Sequence, residues 1–165
     1  MNTDPGVRSP FARFAATLDY PLYVVTTVVG NEPSGCLIGF ATQCSIRPAR
    51  FLVCLSKKNH TYALAVQAPV LAVHVVGEGN KALAELFGGE TGDEVDKFAR
   101  IGWRMVHGVP VLADCECWFA GQVLQQIDLG DHVGFVLKPL EAVPGTEEKQ
   151  MTFQQAGSIE AGHAP

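Results

Sequence analysis

Gly35-Cys36-Leu37-Ile38-Gly39-Phe40-Ala41-Thr42-Gln43-Cys44-Ser45-Ile46-Arg47-Pro48, followed closely by Phe51-Leu52-Val53-Cys54-Leu55-Ser56 and Asn59-His60-Thr61, decides how the rest of the chain is read. Two strand-like runs, small residues and polar punctuation share one region, a surface suited to a flat ligand carrying a phosphate. Most of what lies outside it reads as support. Upstream, Leu22 to Val29 is almost wholly β-branched or aromatic, and Gly30 to Gly35 supplies turn chemistry before the next strand, which predicts a hairpin. Downstream, Phe51 to Leu55 and Val70 to Val76 are extended runs flanking a short helix that Asn59 can cap.

Further out, Ser9 and Pro10 precede Phe11, Phe14, Ala15 and Leu18 at i, i+3, i+4 and i+7, the pattern of a capped amphipathic helix with frayed residues ahead of it. Lys81 to Phe87 places Leu83, Leu86 and Phe87 at helical spacing. Gly88-Gly89 separates it from Asp93 to Arg100, a window that starts on a capping residue and points Val95 and Phe98 inward. Asp114 to Ile127 alternates Cys115, Cys117, Phe119, Val123 and Ile127 on one face with Glu116, Trp118, Gln122 and Gln126 on the other. After Asp128-Leu129-Gly130-Asp131, the run His132 to Leu137 completes a last hairpin. Many strands, few helices and no βαβ rhythm predict a mainly β fold, an antiparallel β-barrel with peripheral helices. The expected domain spans 11–144, between a flexible N-terminus (1–10) and a polar tail (145–165) that is either disordered or packed across a partner subunit.

The chain has 165 residues, about one domain, enough to bury roughly two thirds of its unfolded surface. A 47% hydrophobic and 18% charged composition is that of a globular protein, and a net charge of −5 argues against nucleic acid as a partner. The start, Met1 to Gly6, lacks a basic and apolar leader, and no apolar run approaches a membrane span, so a soluble cytoplasmic protein is expected. Five cysteines form an odd number without paired metal-type spacing, which predicts buried thiols. His74, mid-strand among valines, reads as a hydrogen-bonded core residue and His107 as a loop residue. No His-Glu-x-x-His pattern or carboxylate triad is present, so no metal is expected.

Taken in order, Tyr20-Pro21-Leu22-Tyr23-Val24-Val25-Thr26-Thr27, the Gly35 to Pro48 segment, Phe51 to Ser56, Phe98, Trp103, Gly108-Val109-Pro110-Val111-Leu112 and Gly130-Asp131-His132 resemble the flavin reductase-like family, over roughly residues 11 to 142. The resemblance implies the FMN-binding split-barrel fold with a Greek-key-like strand order. It also implies a homodimer holding FMN, or FAD, near the subunit boundary, with NADH or NADPH as hydride donor. A separate monooxygenase is the implied consumer of the reduced flavin.

On this chain the resemblance lays the flavin along Gly39, Phe40, Ala41, Thr42 and Gln43, with Ser45 near and Cys54 and Leu55 on the adjoining strand. Ser56, Asn59, His60 and Thr61 are expected to receive the phosphate, because hydroxyls, an amide and N–H groups at a helix start favour an anion. Lys57 or Lys58 adds charge. His132 is the catalytic candidate, facing flavin and nicotinamide and positioning them through a ring N–H, while Asp131 fixes the turn. Many family members carry polar side chains where this chain has Leu37, Gly39 and Phe40, so those hydrogen bonds must come from backbone or elsewhere. Gly39 and Ala41 suit a backbone that approaches a ring closely, and Phe40 reads equally well as core. Trp103 either lines the nicotinamide side or anchors a loop. The alternative readings are a non-catalytic flavin-binding electron carrier, or a split barrel using deazaflavin or haem.

Overall fold

The β-branched run near the N-terminus becomes strand β1, Tyr23–Val29, whose stiff side chains pack well on a pleated surface. A computed structural model describes residues 9–89, 95–146 and 149–159. The expected frayed start ahead of Ser9 and the Asp93 cap lie outside these residues. Strand β1 pairs with β2, Glu32–Ile38, through a turn tighter than the sequence suggests: Gly30, at φ 61°, and Asn31 reverse the chain. Pro33 and Ser34 are already strand, because β2 is an edge where a missing N–H is tolerated. The remaining strands are β3 (Ala41–Ser45), β4 (Arg50–Ser56), β5 (Val70–Val75), β6 (Trp103–Val106), β7 (Val109–Leu112), β8 (Cys117–Asp128) and β9 (His132–Pro144).

Seven of these strands form one sheet in the order β2-β1-β5-β8-β9-β4-β3. Its edges, β2 and β3, are separated in the chain by Gly39 and Phe40 alone. Three Cα steps reach about 11 Å at most, whereas the edges of a flat sheet of this width would stand about 29 Å apart. The sheet must therefore curl until its edges approach, giving an antiparallel barrel split at the β2/β3 seam. The expected mainly β barrel is what the chain forms.

The interior is filled by Val25, Ile38, Val53, Leu55, Val73, Phe135 and Leu137, each side chain contributing about 1.5–3 kcal/mol when withdrawn from water. Helix α2, His60–Ala65, capped by Asn59 as expected, adds Ala65 to this cluster. A second cluster lies outside the barrel, where Leu22 and Val24 meet Leu83, Ala84 and Phe87 of helix α3, Lys81–Gly89. Gly88-Gly89 does not break this helix as the sequence suggests. A Cβ on Gly88 would stand 2.7 Å from Leu37, so glycine lets the helix end lie flat on β2. The following window is a short 3-10 turn, Lys97–Ala99, capped by Asp96. Helix α1, Pro10–Ala15, has its Ser9 cap, but its Phe11 and Phe14 are exposed.

The β6–β7 hairpin packs on the outside of β5 and β8 and buries Ala72, Trp118 and Ala120. It overturns the polar-face assignment of Trp118, since this half of β8 is covered on both sides. Bulges between Ala120 and Gly121 and between Val123 and Gln125 also interrupt the simple alternation along β8. No helix among the described residues is long and apolar enough to cross a membrane.

Candidate functional site

Residues 149–159 cross back over the same subunit. Leu22 N–H donates to Met151 O, Met151 N–H to Val76 O and Phe153 N–H to Tyr20 O, at 2.9, 2.7 and 2.8 Å. Met151 is buried against α3 and β1. This docking sets Phe153 face to face with Tyr20, ring centroids 4.9 Å apart. Tyr20 in turn lies 5.9 Å from Phe40, and Phe40 lies 5.2 Å from the His132 ring. The four rings run along a cleft of about 460 Å³ at the split between β2 and β3, within the size range of small-molecule sites.

Leu37, Ile38 and Ile159 add an apolar wall, while Ser56, Asn59 and His132 supply polar groups. Of the residues singled out in the sequence, Gly39, Phe40, Cys54, Ser56, Asn59 and His132 line this cleft. Phe40 is 53% exposed, which excludes the core reading. Its carbonyl accepts the Cys54 N–H at 2.8 Å, fixing the ring-bearing corner to β4. Burial pushes the Cys54 thiol above its ordinary value, which keeps it a neutral lining group.

Other expected residues stand elsewhere. Ala41, Thr42, Gln43 and Ser45 continue along β3, where Thr42 and Gln43 are exposed. Leu55 is fully buried inside the barrel, because the alternation of β4 turns it opposite to Cys54 and Ser56. Thr61 is buried, its hydroxyl 2.9 Å from that of Ser34, so the side chain ties α2 to β2. His60 turns to the other side of α2, its Nε2 3.1 Å from Glu32 Oε1. Lys57 is held by Asp128 at 2.9 Å. Trp103 donates its ring N–H to Phe98 O at 3.2 Å and packs edge-on to Phe98, the anchoring role.

The polar end is tightly built. Asn59 accepts the Thr61 N–H at 2.9 Å, and Ser56 Oγ accepts the Lys58 N–H at 3.3 Å while carrying a proton of its own to donate. His132 Nδ1 is 2.7 Å from Asp131 Oδ1. The His132 hydrogen bond holds the Asp131 carboxyl below the usual range, so the pair fixes the imidazole and leaves Nε2 as its second ring nitrogen. The Asp131 carbonyl accepts the Lys57 N–H at 2.9 Å and ties this turn to the end of β4.

The aromatic row and its polar end suit a planar heteroaromatic ligand with an anionic tail, and an antiparallel split barrel is the scaffold that carries them. The flavin reductase like domain model matches residues 15–160. The chain belongs to the flavin reductase-like family. It is 34% identical over 130 residues to the FMN reductase (NADH) RutF of Variovorax paradoxus (strain S110), covering 76% of this chain and 67% of that protein. It is 30% identical over 117 residues to the stachydrine N-demethylase reductase subunit Stc3 of Rhizobium meliloti (strain 1021), covering 68% of this chain and 50% of that protein. Across further relatives the share is as low as 40%, so the chain spans about half the length of several curated proteins that it matches. Among solved structures, the FMN-binding protein from Thermus thermophilus with bound p-hydroxybenzaldehyde superposes with a TM-score of 0.76 at 25% identity, over 87% of this chain and 82% of that one.

Two features of the cleft were not legible in the sequence. Phe153, Ala156 and Ile159 come from the segment read only as a polar tail, and Tyr20 supplies the ring between Phe153 and Phe40. Gly39 is needed beside Tyr20, because a Cβ there would overlap the ring at Cε2. Gly39→Ala is expected to displace the Tyr20 ring and lower stability by about 1–3 kcal/mol, seen as a lower urea midpoint. An unchanged midpoint would show that Tyr20 swings aside freely.

Proposed function

We propose that this chain binds FMN in the aromatic cleft and reduces it with NADH or NADPH. The row Phe153, Tyr20, Phe40 and His132 beside Ser56 and Asn59 carries this reading, because a flavin needs flat apolar walls and hydrogen-bond donors for its phosphate. Bound flavin supplies the chemistry, taking up a hydride from reduced nicotinamide. The protein supplies position. Leu37, Ile38 and the aromatic rings exclude water from the ring face, Ser56 and Asn59 hold the phosphate, and His132 orients donor and acceptor.

An anaerobic stopped-flow trace tests this directly: with protein, FMN and NADH or NADPH, the flavin absorption band bleaches. Binding of FMN without bleaching by either nicotinamide would favour an electron carrier instead. A relative in Rhodococcus opacus is named as the reductase component of a 4-nitrophenol 4-monooxygenase/4-nitrocatechol 2-monooxygenase, which supports a reading in which this chain hands reduced flavin to a separate oxygenase. Exposed Ile46, Leu124, Leu129 and Leu140 support the homodimer, which sedimentation checks.

The phosphate assignment has its own test. Ser56→Ala combined with Asn59→Asp keeps a helix-capping acceptor, removes both side-chain donors and sets a carboxylate beside the phosphate. FMN affinity is expected to fall about ten-fold while riboflavin affinity holds, since only FMN carries the phosphate. Equal weakening of both would move the phosphate elsewhere.

A further inference from the structure

The ring at the apolar end of the aromatic cleft is not held by burial. Phe153 is 49% exposed, whereas Met151, two residues earlier, is 5% exposed and anchors the segment 149–159 in the core. The backbone around Phe153 is fixed instead by polar contacts with residues 16–20. Phe153 N–H donates to Tyr20 O, and Asp19 Oδ1 accepts both the Gln154 N–H at 2.9 Å and the Tyr20 N–H at 3.1 Å. One carboxylate oxygen thus bonds Tyr20 itself and the residue after Phe153, joining Asp19 to a partner 135 residues away. The Gln154 side chain answers in the opposite direction, its Nε2 donating to Leu18 O at 3.0 Å and to Ala16 O at 3.3 Å.

The Gln154 N–H does most to hold the Asp19 carboxyl below its ordinary value, with smaller help from the Thr152 hydroxyl and the Tyr20 N–H against an opposing effect of desolvation. Donors from both segments therefore share this one group. Each such bond at an exposed carboxylate is weak alone, but their placement gives them leverage. They bracket two rings stacked 4.9 Å apart and tilted by 22°. A wall that is in place for only part of the time lowers the apparent affinity of its ligand by that fraction, so contacts outside the cleft can decide binding inside it.

We propose that Asp19, through its clasp on Gln154, is a positioning residue for the flavin: it holds Tyr20 and Phe153 as one preformed wall for the ring system. The inference rests on the flavin reading above. The clasp acts on the rings and not on Ser56 or Asn59, so it bears on FMN and riboflavin equally, unlike the phosphate contacts.

Flavin fluorescence quenching gives the affinity of the full chain for FMN and for riboflavin, and amide hydrogen exchange by NMR follows the Phe153 and Gln154 N–H groups. Asp19→Ala, at an exposed position that does not threaten folding, is expected to speed exchange at both amides. It should weaken FMN and riboflavin alike, by about five- to ten-fold. Asp19→Asn keeps a side-chain oxygen that can accept both N–H groups, so affinity should return to within about two-fold of the parent. Gln155→Ala is the control. It frees the same segment from Glu78, which Gln155 Nε2 meets at 2.8 Å, without touching the clasp, and is expected to leave both affinities unchanged. An unchanged FMN affinity in Asp19→Ala, no rescue by asparagine, or an equal loss in Gln155→Ala overturns the inference and leaves the flavin reading standing. Absence of FMN binding in the parent chain would remove both.

Discussion

Replacement of His132 by alanine is expected to slow anaerobic flavin bleaching by reduced nicotinamide about ten- to a hundred-fold while leaving FMN binding largely intact. The imidazole sits at the end of the aromatic row, 5.2 Å from Phe40, and is held at Nδ1 by Asp131. Hydride transfer requires donor carbon and acceptor nitrogen to be held about 3–3.5 Å apart, so a group that restricts the stacking geometry acts on the rate more than on affinity. Asp131→Asn separates orientation from contact. It keeps the imidazole in place with a weaker partner, so its rate should fall between those of the parent and His132→Ala. Stopped-flow bleaching read against FMN quenching distinguishes the outcomes. An unchanged rate in His132→Ala would leave His132 as a hairpin residue that packs on Phe40, and a parallel loss of FMN affinity would make it a cofactor ligand.

The parts of the fold legible in sequence were those fixed by local chemistry. Tyr23–Val29 is too β-branched to prefer helix, Asn59 caps α2, and the long β8–β9 hairpin announces itself through extended runs around Gly130. What was hidden depends on partners distant in the chain. Trp118 alternates with apolar neighbours and so reads as solvent-facing, but the β6–β7 hairpin covers it. That hairpin turns at His107 and Gly108, both at positive φ, a signal weaker than the usual Asn-Gly pair. In the cleft, residues adjacent in sequence diverge because strand and helix geometry send them to different sides. Cys54 and Leu55 part on β4, as do Asn59 and His60 at the start of α2. The polar composition of 149–159 conceals the few residues that matter there: Met151 enters the core and Phe153 reaches Tyr20.

Acid is expected to weaken the fold through His74, and roughly 3 kcal/mol should be lost between pH 6.5 and 4. His74 is fully buried. Its Nε2 accepts the Leu112 N–H at 3.0 Å, so Nδ1 carries the proton and donates to Val24 O, also at 3.0 Å. The ring thus ties β5 to β1 and to the β6–β7 hairpin as a neutral group. Burial lowers its pKa from 6.5 to about 4, against an opposing effect of the Val24 hydrogen bond. Protonating Nε2 would also set one N–H against another at Leu112. In the unfolded chain the imidazole takes up its proton near pH 6.5, before the folded one does, so the unfolded state binds more protons through this window. Stability is therefore fully present above 6.5, falls as pH drops toward 4 and loses nothing more from this group below that. The gap between the two values, at about 1.36 kcal/mol per pH unit, gives the stated loss. Urea melts at pH 7.5, 6, 5 and 4 measure it, and His74→Gln provides the control. An amide can accept from Leu112 and donate to Val24 without titrating, so its curve should lack the His74 contribution in this window. A slope in the glutamine variant equal to that of the parent would assign the acid sensitivity to other groups and leave the buried histidine without a role in it.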